Sequence, residues 1–152
     1  MKIFIYAVIA IVACAIIAGF FFIGSPAEQR LIRFDEQRVQ NLQFIQGEVL
    51  NYWQSKGKLP EKLADLVDSI RGISVPQDPE TNANYVYNVK GVQTFELCAD
   101  FARPSQDMTN GIKAVPAPYG YTSENWAHKD GHICFGRSID QDFYPVKTAP
   151  VR

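Results

Sequence analysis

The chain has 152 residues, of which 47% are hydrophobic and 20% charged, with a formal net charge of −1. That length holds one domain of ordinary size and a short appendage. Lys and Arg are interspersed with Asp and Glu and form no basic stripe, which excludes the usual electrostatic footprint of a nucleic-acid-binding protein. The sequence contains no internal repeat and no low-complexity tract.

The hydrophobic residues are unevenly spread. From Ile3 to Ile23 there is no charged side chain, and as a helix this run covers roughly 31 Å, about the thickness of the bilayer hydrocarbon. The expectation is a transmembrane anchor over residues 1–23. Two processing readings compete with an uncleaved anchor. Ser25-Pro26-Ala27 offers small residues to a signal peptidase, with cleavage at Ala27. Ile11-Val12-Ala13-Cys14 resembles a lipobox, in which Cys14 would be lipidated. A signal-peptide apolar core runs only about 7–15 residues, and cleavage at Cys14 would leave a greasy remnant, so the uncleaved anchor is favoured. Arg30, Arg33 and Arg38 follow the run, against Lys2 before it. Basic flanks alone would place the downstream side in the cytoplasm, but long downstream domains translocate largely regardless of charge.

After Gly24-Ser25-Pro26 the spacing predicts a long amphipathic helix over residues 28–56, part of a spine segment 24–57. Leu42, Ile45, Val49, Tyr52 and Trp53 form its apolar stripe, and Gly57 ends it. A globular head is expected over residues 58–144. It opens with a second, short helix from Leu59-Pro60, apolar on Leu63, Leu66, Val67 and Ile70 and closed by Gly72. Residues 75–82 are turn chemistry throughout. Two strands follow. Asn84 to Val89 carries Tyr85, Tyr87 and Val89 on one side, and Thr94 to Phe101 carries Phe95, Leu97, Ala99 and Phe101 on one side, with Lys90-Gly91 as the turn between them. Arg103 to Asn125 has no periodicity. Ile133 to Ile139 is expected to be a last strand, and residues 145–152 a loose tail. The fold class is α+β, with the helical stripe Leu42, Ile45, Val49 and Tyr52 facing Tyr85, Tyr87, Phe95 and Leu97 of a small antiparallel sheet.

Cys98 and Cys134 stand in two expected strands, and neighbouring strands bring alpha carbons within disulfide range. A disulfide between them suits an exported domain. The alternative is a zinc site drawn from Cys98, His128, His132 and Cys134, whose ligand types fit but whose spacing does not, because Lys129-Asp130-Gly131 predicts a turn and no CxxC pair occurs. Enzyme readings are poor. Ser105, Ser123 and Ser138 lack a nucleophile-elbow context. Cys134 and His132 share a strand face, but no orienting group or oxyanion hole accompanies them in the sequence. Tyr119, Tyr121, Trp126 and Tyr144 could form a binding surface or pack a long loop onto its own domain.

The order of elements brings a resemblance with it. Leu42, Ile45 and Tyr52 lead into Gly57-Lys58-Leu59-Pro60. Val75-Pro76-Gln77-Asp78-Pro79 is followed by Tyr85-Val86-Tyr87 and then Phe95-Glu96-Leu97-Cys98. Over residues 28–101 this resembles type IV pilins, and more closely the major pseudopilin of type II secretion systems. The second half, from Phe95 through Trp126 to Phe135, is similar to small membrane-anchored proteins of bacteria with reduced genomes. The resemblance implies a non-catalytic envelope protein with its soluble domain outside the cytoplasm. Such a protein works through protein partners, or through self-association along its N-terminal helix. Prepilin peptidase requires a Glu early in the apolar helix, and none precedes Glu28, so cleavage before Phe20 is not expected. Some pseudopilins bind calcium in a C-terminal loop, for which Asp107, Asn110, Asp140 and Asp142 are the oxygens here. No cofactor is expected beyond these calcium and zinc candidates.

Overall fold

The computed structural model of the chain describes residues 2–23, 26–105 and 125–147, with the side chains of the first helix described at residues 3–16 and 19. The chain divides into two compact units, residues 1–33 and 34–152. The first contains helix α1 (Lys2–Ile23) and the opening of α2 (Pro26–Lys56). Along α1 the side chains from Ile3 to Ile16 are exposed. Among the described residues no helix is long and apolar enough to cross a membrane. The expected break at Gly24-Ser25 lies outside the described residues.

The second unit is α+β. Its sheet has three antiparallel strands in the order β1 (Val86–Val89), β2 (Thr94–Phe101) and β3 (Gly131–Ser138). The β1–β2 hairpin turns through Lys90 and Gly91, whose N–H groups both donate to the Thr94 carbonyl. A Cβ at Gly91 would lie 2.6 Å from the Thr94 hydroxyl oxygen, so a side chain there would force the Thr94 hydroxyl to turn away.

The core lies between α2 and one face of the sheet. Leu42, Ile45, Val49 and Trp53, at helical spacing, join Phe95, Leu97, Ala99 and Phe101, at strand spacing, with Tyr85, Phe135 and Ile139 around them. Tyr52 and Tyr87 are half-buried at the margin of this cluster. The Tyr87 hydroxyl donates to the Pro60 carbonyl at 3.0 Å, and the Trp53 indole N–H reaches the Tyr144 carbonyl at 3.3 Å. Gly57 closes α2 in the left-handed region at φ 70°, its N–H bonding back to the Trp53 carbonyl.

The short helix and the two outer strands differ from expectation, β3 by starting at Gly131 where Ile133 was expected. The short helix after Pro60 is a single 3-10 turn, Leu63–Leu66. The Asp65 carboxylate accepts the N–H groups of Glu61 and Lys62 and caps the start of this turn. The Asp68 carboxylate accepts those of Ile70 and Arg71, which offers the backbone after Val67 an alternative to continued helical bonding. Asp68 then pairs with Ile73 as an isolated bridge, which leaves Val67 and Ile70 in solvent, Ile70 at 97% exposure. The first strand starts two residues late, because Asn84 pairs with Gln77 instead. Within the tail segment 145–152 the Lys147 N–H donates to the Gln54 carbonyl at 2.7 Å, and residues 148–152 lie outside the described residues.

A buried ion network joins α2 to the sheet. Arg38, 3% exposed, donates from Nε to Asp78 at 2.6 Å, from one terminal nitrogen to Asp35 at 2.7 Å, and from the other to Glu80 at 2.8 Å and Asp78 at 3.2 Å. Asp35 also accepts the N–H groups of Ala102 and Arg103, just past the end of β2. Asp78 accepts the N–H groups of Glu80 and Thr81 and the Thr81 hydroxyl. Burial by itself would raise the Asp78 pKa, but Arg38 and the Thr81 and Glu80 donors outweigh it and hold the carboxyl at about 2. Burial would likewise lower the Arg38 pKa, and its hydrogen bonds to Asp78, Glu80 and Asp35 reverse this, raising it well above the ordinary arginine value.

Two predictions follow from this packing. Ile45→Asp places a carboxylate without a partner in the core, at a cost of several kcal/mol. Total stability for a domain of this size is about 5–15 kcal/mol, so thermal melts should lose most of the cooperative transition. The second concerns acid. A carboxyl with a depressed folded pKa stabilises the fold fully above its unfolded pKa of about 3.9, and that stabilisation disappears as the pH falls toward the folded value. For Asp78 this amounts to about 2 kcal/mol lost between roughly pH 4 and pH 2. Denaturant midpoints measured across that window should fall less steeply in Asp78→Asn than in the parent.

Candidate functional site

The outward face of the sheet carries the most concentrated chemistry among the described residues. Alternation along β2 sends Phe95, Leu97, Ala99 and Phe101 to the core and Glu96, Cys98 and Asp100 to the other side. Along β3, Phe135 faces the core, while His132 and Cys134 share the outward face. The antiparallel register sets Cys98 opposite Cys134 and Asp100 opposite His132. Two sequence-adjacent outward positions on each strand thus form a compact square of four side chains.

Cys98 and Cys134 are joined as a disulfide, with alpha carbons 4.0 Å apart. Cys98 is buried at 1% exposure, and Cys134 is exposed. The His132 ring stands beside the bridge. Its Nε2 lies 3.6 Å from Cys134 Sγ, and its Nδ1 lies 2.8 Å from an Asp100 carboxylate oxygen. A carboxylate accepts, so Nδ1 is the donor in this pair, and Nε2 is the ring nitrogen that faces the sulfur. Cys98, His132 and Cys134 each present one ligand atom, all within 4.8 Å of one another.

His128, the other histidine of the zinc alternative, is not part of this group. It is buried at 4% exposure and stacks on Phe101 with ring centroids 3.6 Å apart. Its backbone and that of Ser105 hold each other: the Ser105 N–H donates to the His128 carbonyl, and the His128 N–H donates to the Ser105 hydroxyl. Of the calcium candidates, Asp107 and Asn110 lie outside the described residues. Asp140 and Asp142 are exposed, and the Asp142 N–H donates to the Asp140 carboxylate. Tyr119, Tyr121 and Ser123 also lie outside the described residues. Trp126 is half-buried, packing on Phe135 at 4.8 Å beneath the Arg137 guanidinium.

The sequence reading missed Asp100. Once Cys98 is placed opposite Cys134 in an antiparallel pair, residue 100 must stand opposite residue 132, so the orienting carboxylate follows from the cysteine pairing alone. A concavity of about 560 Å³ lies between α2 and residues 65–71. It is polar and open, and three of its charged lining residues pair with one another, Arg71 with Asp68 at 2.8 Å and with Glu48 at 3.2 Å. No protein-family model, curated protein or solved structure matches the chain.

The disulfide generates the prediction of this section. Peptide mapping without reductant should link Cys98 to Cys134 and leave Cys14 free. Opening the bridge releases a loop of 36 residues' separation, and the chain-entropy account gives a loss of about 3–4 kcal/mol for Cys98→Ser with Cys134→Ser. Free alkylation of Cys98 and Cys134 in the folded protein as isolated would contradict the linkage.

Proposed function

We propose that the chain is a single-pass, membrane-anchored envelope protein of pilin-like or pseudopilin-like organisation. Its α+β head lies outside the cytoplasm and works through protein contacts rather than catalysis. The observation that carries this reading is the pairing of two features in one chain. An uninterrupted apolar helix, α1, has no charge after Lys2, and the head that follows contains a cross-strand disulfide. The uncharged run from Ile3 to Ile23 in the sequence has about the length of the bilayer core, and it is this run, not the described part of α1, that supports the anchor. Stable disulfides belong to oxidising compartments. The succession of apolar helix, long amphipathic helix and antiparallel sheet supports the pilin-like description, as do the exposed Val67 and Ile70 beside α2 as contact residues.

A second reading, a metal- or thiol-dependent envelope domain, is favoured by one observation: the contact of His132 with both Asp100 and Cys134.

Fractionation of bacteria expressing the full chain tests the first reading. The protein should remain with membranes through an alkaline wash and be released by detergent. Protease added outside spheroplasts should remove the head and leave the anchor. Mass spectrometry should find α1 intact, with no new N-terminus at Phe20. Release by the alkaline wash, or a head protected from external protease, would overturn the anchoring or the orientation respectively.

A further inference from the structure

We infer that Cys98, His132 and Cys134 form a binding site for a thiophilic divalent cation of the zinc type when the disulfide is reduced, with Asp100 as the residue that positions the histidine. In the oxidised protein the two sulfurs are bonded to each other and offer no thiolate. A dithiol donor converts the bridge to two thiols and becomes a disulfide itself, supplying two electrons and two protons. The cation then displaces one proton from each thiol and binds both sulfurs and the imidazole nitrogen. Bond count and charge balance in both steps, and no other reactant is needed.

The geometry is close to what such a site requires. Zinc–sulfur and zinc–nitrogen bonds of about 2.3 and 2.0 Å at a tetrahedral angle put sulfur and nitrogen about 3.5 Å apart. His132 Nε2 already stands 3.6 Å from Cys134 Sγ. The two sulfurs, once freed, need to separate only to about 3.8 Å for the same tetrahedron, a side-chain rotation between residues directly opposite in the ladder. The Asp100 carboxylate on Nδ1, at 2.8 Å, is the partner that metal-bound histidines usually have. It fixes the tautomer, aims Nε2 and raises its basicity. His132 and Cys134 are exposed, so the fourth position of a three-ligand site opens to water or to an exogenous ligand. A purely structural disulfide would need neither the histidine at its side nor the carboxylate behind it.

The test uses the full chain in detergent with Cys14→Ser, so that the third thiol cannot contribute. The protein is reduced with a phosphine, which is removed before cobalt(II) and then zinc(II) are added without oxygen. The expected result is one equivalent of cobalt, showing thiolate charge-transfer absorption and the intensity of a tetrahedral ion, displaced by zinc. The oxidised protein should bind none. His132→Ala should abolish the tetrahedral spectrum. Asp100→Ala should weaken cobalt binding roughly 10–100-fold and leave the melting temperature of the oxidised form unchanged. Tryptophan fluorescence from Trp53 in the core and Trp126 packed against it should be native-like in the reduced protein or be restored to that of the native fold by zinc. No binding by the reduced chain, equal binding by the oxidised chain, undiminished binding by His132→Ala, or a reduced chain that stays unfolded with zinc present would each overturn the inference.

Discussion

Arg38 carries its charge at any pH the protein meets, and it carries it inside the head at 3% exposure. An unpaired charge in that position would cost several kcal/mol, so the fold must bring carboxylates to it. They come from three directions: Asp35 one turn back along α2, Asp78 from the turn before β1, and Glu80 from the same turn at the solvent edge. Asp35 then passes the constraint on by accepting the N–H groups of Ala102 and Arg103. The helix, the turn and the end of the central strand are thereby fixed to one guanidinium, and the apolar stripe of α2 meets the sheet at the position this network sets.

The outward face inherits that placement. Asp35 fixes the chain immediately after β2, and Asp100 lies near that end of the strand. The ladder carries the register across to β3, where the pairing of residues 98 and 134 also pairs 100 with 132. One face of β2 thus holds the core through Phe95, Leu97, Ala99 and Phe101, while the other assembles a disulfide, an imidazole and a carboxylate. The period of two that makes the strand amphipathic also separates the chemistry from the packing.

Much of this was legible in the sequence for a definite reason. Where a signal is periodic and local, as in the 42–53 stripe, the strand 94–101 and the glycine at 57, the residues themselves state the element. The two cysteines were legible because strand pairing brings so few other thiols into reach. The short helix expected after Pro60 is cut to one 3-10 turn, since side-chain capture of the Ile70 and Arg71 N–H groups by Asp68 leaves no mark on hydrophobic spacing. Arg38 was counted among the basic residues flanking the anchor, because two of its three partners lie 40 and 42 positions away and a lone Asp-Pro in a turn does not announce a buried ion pair. Asp100 escaped for a similar reason, as its role exists only across the ladder.

The account gives the head two separable layers: a packed interior organised by Arg38, and an exposed face organised by strand register. The central claim is that the Arg38–Asp78 pair couples α2 to the turn preceding the sheet. A double-mutant cycle with Arg38→Met and Asp78→Leu, read by denaturant unfolding at neutral pH, measures that coupling directly. The account predicts an interaction of about 2 kcal/mol or more, with the double variant more stable than the sum of the single losses implies. Additivity within about 0.5 kcal/mol would mean that the pair does not organise the fold, and would contradict it.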